Sequence, residues 1–395
     1  MKIGIEKLTF FTPPTYVDMV ELAEARNVDP NKFLIGIGQS KMSVASPNYD
    51  IVAMAANAAN QMLTAEDKKE VDLVLFATET GIDFSKSAAT WAHKLVGIQP
   101  NARSVELKQA CYSGTAAIQF AMGHIALHPE SKVLILASDI AKYGLNTPGE
   151  PTQGAGAVAM LISANPSILA IEKESGIYTE DIDDFWRPKY SDVPFVDGKY
   201  SVSAYLDTLM ASWTHYKEQQ DAKFSDLEAM LFHVPYTKMG RKALESLAEE
   251  MDEKTAKRFT DYYESAIVYS NVVGNVYTGS LYLSLISLLD QSEELSVGSR
   301  IGLFSYGSGS VGEFFVGELQ DGYKNYLRKN EHEELLATRK QLTVAEYEEV
   351  LTASTAVDES GKVDLKLENV SQEDVLFTGI NEHKRQYKKA SELAE

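Results

Sequence analysis

The chain holds one cysteine, Cys111, and it stands where a nucleophile would stand. It follows Ser104-Val105-Glu106-Leu107, which reads as a strand, and opens Tyr112-Ser113-Gly114-Thr115-Ala116-Ala117-Ile118, whose small residues predict a buried helix. A thiol at a helix N-terminus faces unpaired backbone N–H groups and the positive end of the helix dipole. The expectation is therefore a stabilised thiolate and covalent catalysis. A lone cysteine elsewhere would more often pack as a small hydrophobe, and its place directly after a strand favours chemistry here.

Other candidates stand at comparable places. Glu79 follows the apolar run Val71 to Phe76, and a carboxylate at a strand tip can serve as a general base once burial raises its pKa. His233 ends Met230-Leu231-Phe232, where an imidazole can donate to a developing oxyanion or tune a thiol; the plain alternative is a satisfied core histidine. Asn275, in Gly274-Asn275-Val276-Tyr277-Thr278, offers an amide donor. The turn Gly307-Ser308-Gly309 offers a backbone N–H that, with that of Cys111, would make an oxyanion hole. Lys238, Arg241 and Lys242 form a basic cluster suited to an anionic, phosphate-bearing ligand, or else a solvated helix face.

Two halves with one rhythm must position these residues. Val71–Phe76, Ser104–Leu107 and Val133–Ala137 read as strands of the first half, and Met230–His233 echoes the first of them in the second. Gly154-Ala155-Gly156 and Gly307-Ser308-Gly309 each lead into a strand, which points to an internal duplication with a boundary near residue 168: a first half over 1–168 and a second over 169–395. Strands alternating with helices argue for mixed α/β layers. Beyond about residue 318 the chain turns charged and helical, Thr343-Val344-Ala345-Glu346 is a capping box, and the tail reads as peripheral packing.

Composition narrows the function. At 395 residues, 44% hydrophobic and 24% charged, the chain is an ordinary globular protein, too long for one small core. Its 37 basic against 57 acidic residues give a net charge of −20, which repels nucleic acid and anionic membranes. The N-terminal Met1 to Lys7 alternates like a strand instead of an export signal, and the near-apolar Val276 to Leu289 is too short to span a bilayer. A single cysteine allows no internal disulfide and no cysteine-cluster metal site, which fits a reducing cytoplasm.

Taken together the motifs resemble the 3-hydroxy-3-methylglutaryl-CoA synthases of the shorter bacterial kind, within the thiolase-fold superfamily. The resemblance runs through Val28-Asp29-Pro30-Asn31-Lys32, Thr78-Glu79, Ala110-Cys111-Tyr112 and Glu150-Pro151-Thr152-Gln153-Gly154. It continues through Asp184-Phe185-Trp186-Arg187-Pro188, Val196-Asp197-Gly198-Lys199-Tyr200-Ser201, Phe232-His233-Val234-Pro235, Gly274-Asn275-Val276-Tyr277 and Ser305-Tyr306-Gly307-Ser308-Gly309. The family more often has glycine directly after its Cys-Tyr pair, whereas this chain has Ser113 and then Gly114.

The resemblance implies a thiolase-like five-layer α/β/α/β/α fold from two duplicated halves, a cytoplasmic homodimer, and no cofactor or metal, coenzyme A thioesters being the substrates. It implies condensation of acetyl-CoA with acetoacetyl-CoA in the mevalonate route to isoprenoids. Cys111 would carry the acetyl group and Glu79 would act as base and then acid. His233 and Asn275 would hold the acetoacetyl group, Ser308 would supply the oxyanion N–H, and Asp29, Lys32, Thr152, Ser201, Lys238 and Lys242 would line the ligand site. A thiolase proper needs a second cysteine, which this chain lacks. A decarboxylating ketoacyl synthase would use the Cys-His-Asn set without Glu79, and a silent acyl-CoA-binding scaffold would have lost Cys111.

Overall fold

The computed structural model describes residues 1–353 and 355–393. Its centre is a nine-stranded sheet made of β1 (Ile3–Phe11), β2 (Val71–Ala77), β3 (Arg103–Leu107), β4 (Lys132–Ala141), β5 (Gly154–Ala164), β6 (Leu169–Thr179), β7 (Ala229–Phe232), β8 (Arg300–Gly307) and β9 (Val311–Leu319). Across the sheet the order is β7-β8-β9-β6-β1-β5-β4-β2-β3. β2 is parallel to β3 and β4, as β7 is to β8, while β5 and β9 run antiparallel to their neighbours. Each half therefore repeats one plan, with β6, β9, β8 and β7 answering β1, β5, β4 and β2. The two sets join where Ile3, Gly4 and Ile5 pair with Ile171, Ala170 and Leu169.

The parallel strands are nearly continuous apolar runs because both faces are covered. One face is packed by α1 (Ile51–Met62) and α2 (Ala88–Val96) in the first half, and by α4 (Gly198–Gln220) and α5 (Lys238–Ser246) in the second. Between the halves lie α3 (Ser113–Leu127) and α6 (Ser280–Gln291). Ala117, Ile118 and Ala121 of α3 share one core with Leu281, Leu285 and Leu288 of α6 and with inward residues from the strands of both halves. The result is the thiolase-like succession of five layers. Helix α6 is buried all round, as its apolar run requires, whereas α3 buries its first turns and leaves Phe120 and Leu127 exposed.

Residues beyond 318 are more than peripheral. The capping box is present, with Thr343 accepting from the Glu346 N–H and the Glu346 carboxylate accepting from the Thr343 N–H. Yet the tail also forms an antiparallel sheet over 363–364, 375–381 and 384–389, and Val375 and Leu376 enter the core beneath α1. Asn57 of α1 grips Val375 like a neighbouring strand, donating to its carbonyl at 3.1 Å and accepting from its N–H at 2.7 Å. Buried His332 bridges Thr9 Oγ1 at 2.9 Å and Asp290 Oδ2 at 2.7 Å, fastening the tail to β1 and α6. Charged composition concealed these buried anchors.

Candidate active site

Parallel strands deliver their carboxyl ends to one edge of a sheet, and the loops leaving those ends carry the reactive groups. β2 leads to Glu79, β3 to Cys111, β7 to His233 and β8 to Ser308. Because β2 and β7 are equivalent strands, Glu79 and His233 occupy corresponding levels of the two halves.

Cys111 is presented by a tight turn. Ala110 adopts φ +44°, a left-handed conformation unusual for a residue with a Cβ. Ser113, the departure from the family pattern, braces that turn: its hydroxyl donates to the Ala110 carbonyl at 3.0 Å and accepts from the Gln109 N–H. Helix α3 begins at Ser113 with no side-chain cap, and its first N–H groups bond back to the turn, that of Ser113 to the Ala110 carbonyl at 3.3 Å and that of Thr115 to the Tyr112 carbonyl at 2.9 Å. The partly buried thiol donates to Glu79 Oε1 at 3.0 Å.

That contact corrects the expected thiolate. Burial, then the neighbouring Glu79 carboxylate, with Asp139 behind it, push the Cys111 thiol well above the usual range. In the resting protein the sulfur keeps its proton. Glu79 is itself raised to about 8, first by burial and then by the charge of Asp139, against the Cys111 hydrogen bond and Arg187, which lower it. A carboxyl at that level can both take and return a proton near neutral pH.

Asp139, wholly buried on β4, was not singled out from the sequence and organises the site. Its Oδ1 accepts from the N–H groups of Glu79 at 2.9 Å and Thr80 at 3.0 Å and from the Thr78 hydroxyl at 2.8 Å. Its Oδ2 accepts from the N–H of Thr278 at 3.1 Å and from the Thr278 hydroxyl. One carboxylate thus ties the Glu79 loop to the Asn275 segment of the other half.

Asn275 is buried, and its Oδ1 accepts from the Tyr277 N–H and the Ser280 hydroxyl, both at 2.9 Å. These bonds fix its NH₂ group as the donor side of the amide, which reaches the Tyr143 hydroxyl at 3.5 Å. Gly154 lets the segment come this close, since a Cβ there would meet the Asn275 backbone N and O at 2.6 Å. His233 is buried with its backbone N–H on Phe304, and its ring makes no hydrogen bond within the protein among the described residues. Burial lowers it to about 3, so the imidazole is neutral across the physiological range. Gly307 packs directly against Gln109 and Tyr112, where any Cβ would collide, and Gln109 Nε2 reaches the Ser308 carbonyl at 3.4 Å. The Ser308 turn therefore abuts the Cys111 turn.

A strap over 184–201 roofs the site. Asp184 accepts from the Gly309 N–H at 2.9 Å, the Tyr306 hydroxyl at 2.7 Å and the Ser201 hydroxyl at 3.3 Å. Phe185 packs between Tyr143, tilted at 5.9 Å, and Tyr277, edge-on at 6.2 Å, while Arg187 donates to the Glu79 carbonyl at 2.6 Å. Ser201, in the first turn of α4, is tied to the strap by its bond to Asp184. The outlying residues form a separate rim. Asp29 and Lys32 are exposed, and the turn that follows them docks on the start of α5 through Thr237, whose hydroxyl donates to the Ile37 carbonyl at 3.3 Å. Lys238 and Lys242 of α5 are half-buried there. Arg241 leaves the expected cluster, pairing with Glu264 at 2.8 Å. Thr152 bonds back to Gly149 at 2.8 Å, one residue before Gln153, whose carbonyl takes the Asn275 N–H at 3.3 Å. No group of three or more His, Cys, Asp or Glu is arranged to hold a metal among the described residues.

Comparison with known proteins decides what the arrangement is. Residues 1–167 match the model of the hydroxymethylglutaryl-coenzyme A synthase N-terminal domain, and residues 169–250 and 245–389 that of the C-terminal domain. The chain belongs to the hydroxymethylglutaryl-coenzyme A synthase family. The Enterococcus faecalis hydroxymethylglutaryl-CoA synthase is 53% identical over 368 residues, spanning 93% of this chain and 96% of that protein. A Bacillus subtilis polyketide 3-hydroxy-3-methylglutaryl-ACP synthase is 33% identical over 90% of this chain and 89% of its own length. A solved synthase complexed with CoA superposes with a TM-score of 0.95 at 43% identity, covering 98% of this chain and 100% of that one. Another, in complex with 3-hydroxy-3-methylglutaryl coenzyme A, gives 0.88 at 35% identity, covering 98% and 99%. Family membership makes the chain a condensing acyltransferase and removes the silent scaffold and the thiolase proper from consideration.

Proposed function

We propose that the chain condenses acetyl-CoA with acetoacetyl-CoA and water to 3-hydroxy-3-methylglutaryl-CoA and CoA, through an acetyl-Cys111 intermediate, in the mevalonate route. The observation that carries the reading is the Cys111 thiol donating to Glu79 at 3.0 Å, with Glu79 held near neutrality. A decarboxylating synthase has no use for a carboxyl beside its nucleophile, and its carbanion comes from loss of CO₂. Here the acetyl methyl is a weak carbon acid and needs such a base.

In this reading the thiol attacks the acetyl-CoA carbonyl, and its proton passes by way of Glu79 to the departing CoA sulfur, so that CoA leaves as a thiol and Glu79 is again a carboxylate. Glu79 then takes a proton from the acetyl methyl, and the N–H groups of Cys111 and Ser308 hold the enolate oxygen. The carbanion attacks the acetoacetyl ketone, which neutral His233 and the Asn275 amide polarise, and Glu79 returns its proton to the alkoxide. Water splits the remaining thioester. Asp29, Lys32, Thr152, Ser201, Lys238 and Lys242 line the coenzyme route, the lysines meeting its phosphates by charge-assisted bonds.

The working unit is a cytoplasmic homodimer that joins two copies at β3. That strand is the last of the sheet and pairs on one side only, with Val105 exposed and Phe120 and Leu127 of α3 exposed nearby. Uncovered edges with apolar neighbours invite strand pairing. Among the described residues no helix is long and apolar enough to cross a membrane.

The test is to incubate the protein with acetyl-CoA, weigh it intact, map the adduct, and then add acetoacetyl-CoA. One acetyl group on Cys111, discharged into 3-hydroxy-3-methylglutaryl-CoA, is expected. An adduct that persists in Cys111→Ala overturns the assignment.

A further inference from the structure

A small cavity borders Glu79 on one hand and the strap on the other. It holds about 10 Å³, and Glu79, Tyr277, Phe185, Pro194, Ile140, Lys142 and Arg187 enclose it. Space of about 10–15 Å³ is what one water needs, provided polar partners surround it. Here a carboxyl, an ammonium and a guanidinium converge. Lys142 continues from the end of β4 and Arg187 comes from the strap, so two elements unrelated in sequence each send a cation to the same opening. Both side chains are exposed at its rim. Arg187 is anchored on the Glu79 carbonyl, whereas Lys142 makes no hydrogen bond or ion pair among the described residues. Arg187 repels the Lys142 ammonium and, among the described residues, only Asp192 attracts it, so two cations beside a carboxyl suit a lone-pair-bearing occupant. Neither cation belongs to the Lys32, Lys238 and Lys242 rim.

We infer that this cavity is the station of the water that splits the acyl-Cys111 thioester, with Lys142 and Arg187 as positioning residues that also steady the carboxylate formed there. The inference rests on the function proposed above, because only an acyl-cysteine cycle ending in hydrolysis requires such a water. The step balances. The water oxygen bonds to the thioester carbonyl carbon and gives a proton to the Glu79 carboxylate. The carbon–sulfur bond then breaks, Glu79 returns that proton to the departing Cys111 sulfur, and the acid released ionises. Negative charge grows on the attacking oxygen and stays on the product, and preorganised cations stabilise both. Arg187 lowers the proton affinity of Glu79, which keeps a fraction of it in the basic form that the step requires.

The experiment follows acetyl-Cys111 in single turnover without acetoacetyl-CoA and with the released CoA removed, so that water is the sole acceptor. Wild type, Lys142→Met and Lys142→Arg are quenched over time and weighed intact, so that acetylation and decay are read separately. Decay should slow about tenfold in Lys142→Met, the worth of one charge-assisted contact, with the acetylation rate within about twofold of wild type. Lys142→Arg should restore decay. Equal decay in wild type and Lys142→Met overturns the inference, as does equal slowing of both steps, which would mark Lys142 as merely structural. Failure of wild type to form any acetyl-Cys111 is a separate outcome that overturns the proposed function itself.

Discussion

The elevated pKa of Glu79 gives the condensation step a specific pH signature. With a value of about 8, the basic form is about 1% of the population at pH 6, about 10% at pH 7, half at pH 8 and about 90% at pH 9. Acetylating Cys111 removes the thiol hydrogen bond, one of the influences that lower Glu79, so the acyl-enzyme starts at or above this level. If Glu79 abstracts the methyl proton, the single-turnover rate of condensation should climb about tenfold per pH unit from pH 6, level off above about pH 8, and gain about 90-fold by pH 9. His233 contributes no limb of its own, since burial holds it at about 3. The assay is rapid mixing of preformed acetyl-enzyme with saturating acetoacetyl-CoA, quenched for 3-hydroxy-3-methylglutaryl-CoA. A rate flat from pH 6 to 9 would refute the reasoning, because it is what a carboxylate at the ordinary value of about 4.3 would give.

His233→Ala should leave Cys111 able to accept an acetyl group while raising the KM for acetoacetyl-CoA about tenfold or more, consistent with loss of a donor to the ketone; unchanged kinetics with that substrate would reject the role. Lys242→Ala should raise the KM for both coenzyme A substrates and flatten its dependence on salt, whereas Arg241→Ala, which loses only a partner of Glu264, should do neither. Because His332 shields the buried Asp290 carboxylate from being left alone with Tyr269, His332→Ala should cost about 3 kcal/mol in denaturant unfolding without changing the pH limb of condensation.

Much of the site was legible because strand tips are punctuated. Apolar runs ending at Glu79 and His233, and a small-residue helix opening after Cys111, announced the carboxyl edge of a duplicated sheet. Asp139 was not legible, since a buried aspartate inside an apolar strand looks like an interruption until Thr78, Thr80 and Thr278 are seen around it. The thiolate was misread for a related reason. A helix N-terminus can be inferred from local sequence, but what raises the thiol is burial first and then Glu79, which is 32 residues away in the chain. Arg241 looked like part of a basic cluster because its partner Glu264 lies on a different helix. Lys142 and Pro194, far apart in sequence and bland in type, meet only because the strap folds back over β4.

The most direct test of the central claim, that Cys111 carries the acyl group and Glu79 moves the proton, is to offer Glu79→Ala acetyl-CoA in deuterated buffer. The protein should gain one acetyl group at Cys111, exchange no methyl hydrogen for deuterium, and release no 3-hydroxy-3-methylglutaryl-CoA when acetoacetyl-CoA is added, a loss of at least about 10²–10⁴-fold. Near-normal condensation in that variant would contradict the account and would leave Cys111, His233 and Asn275 to act without a carboxyl base.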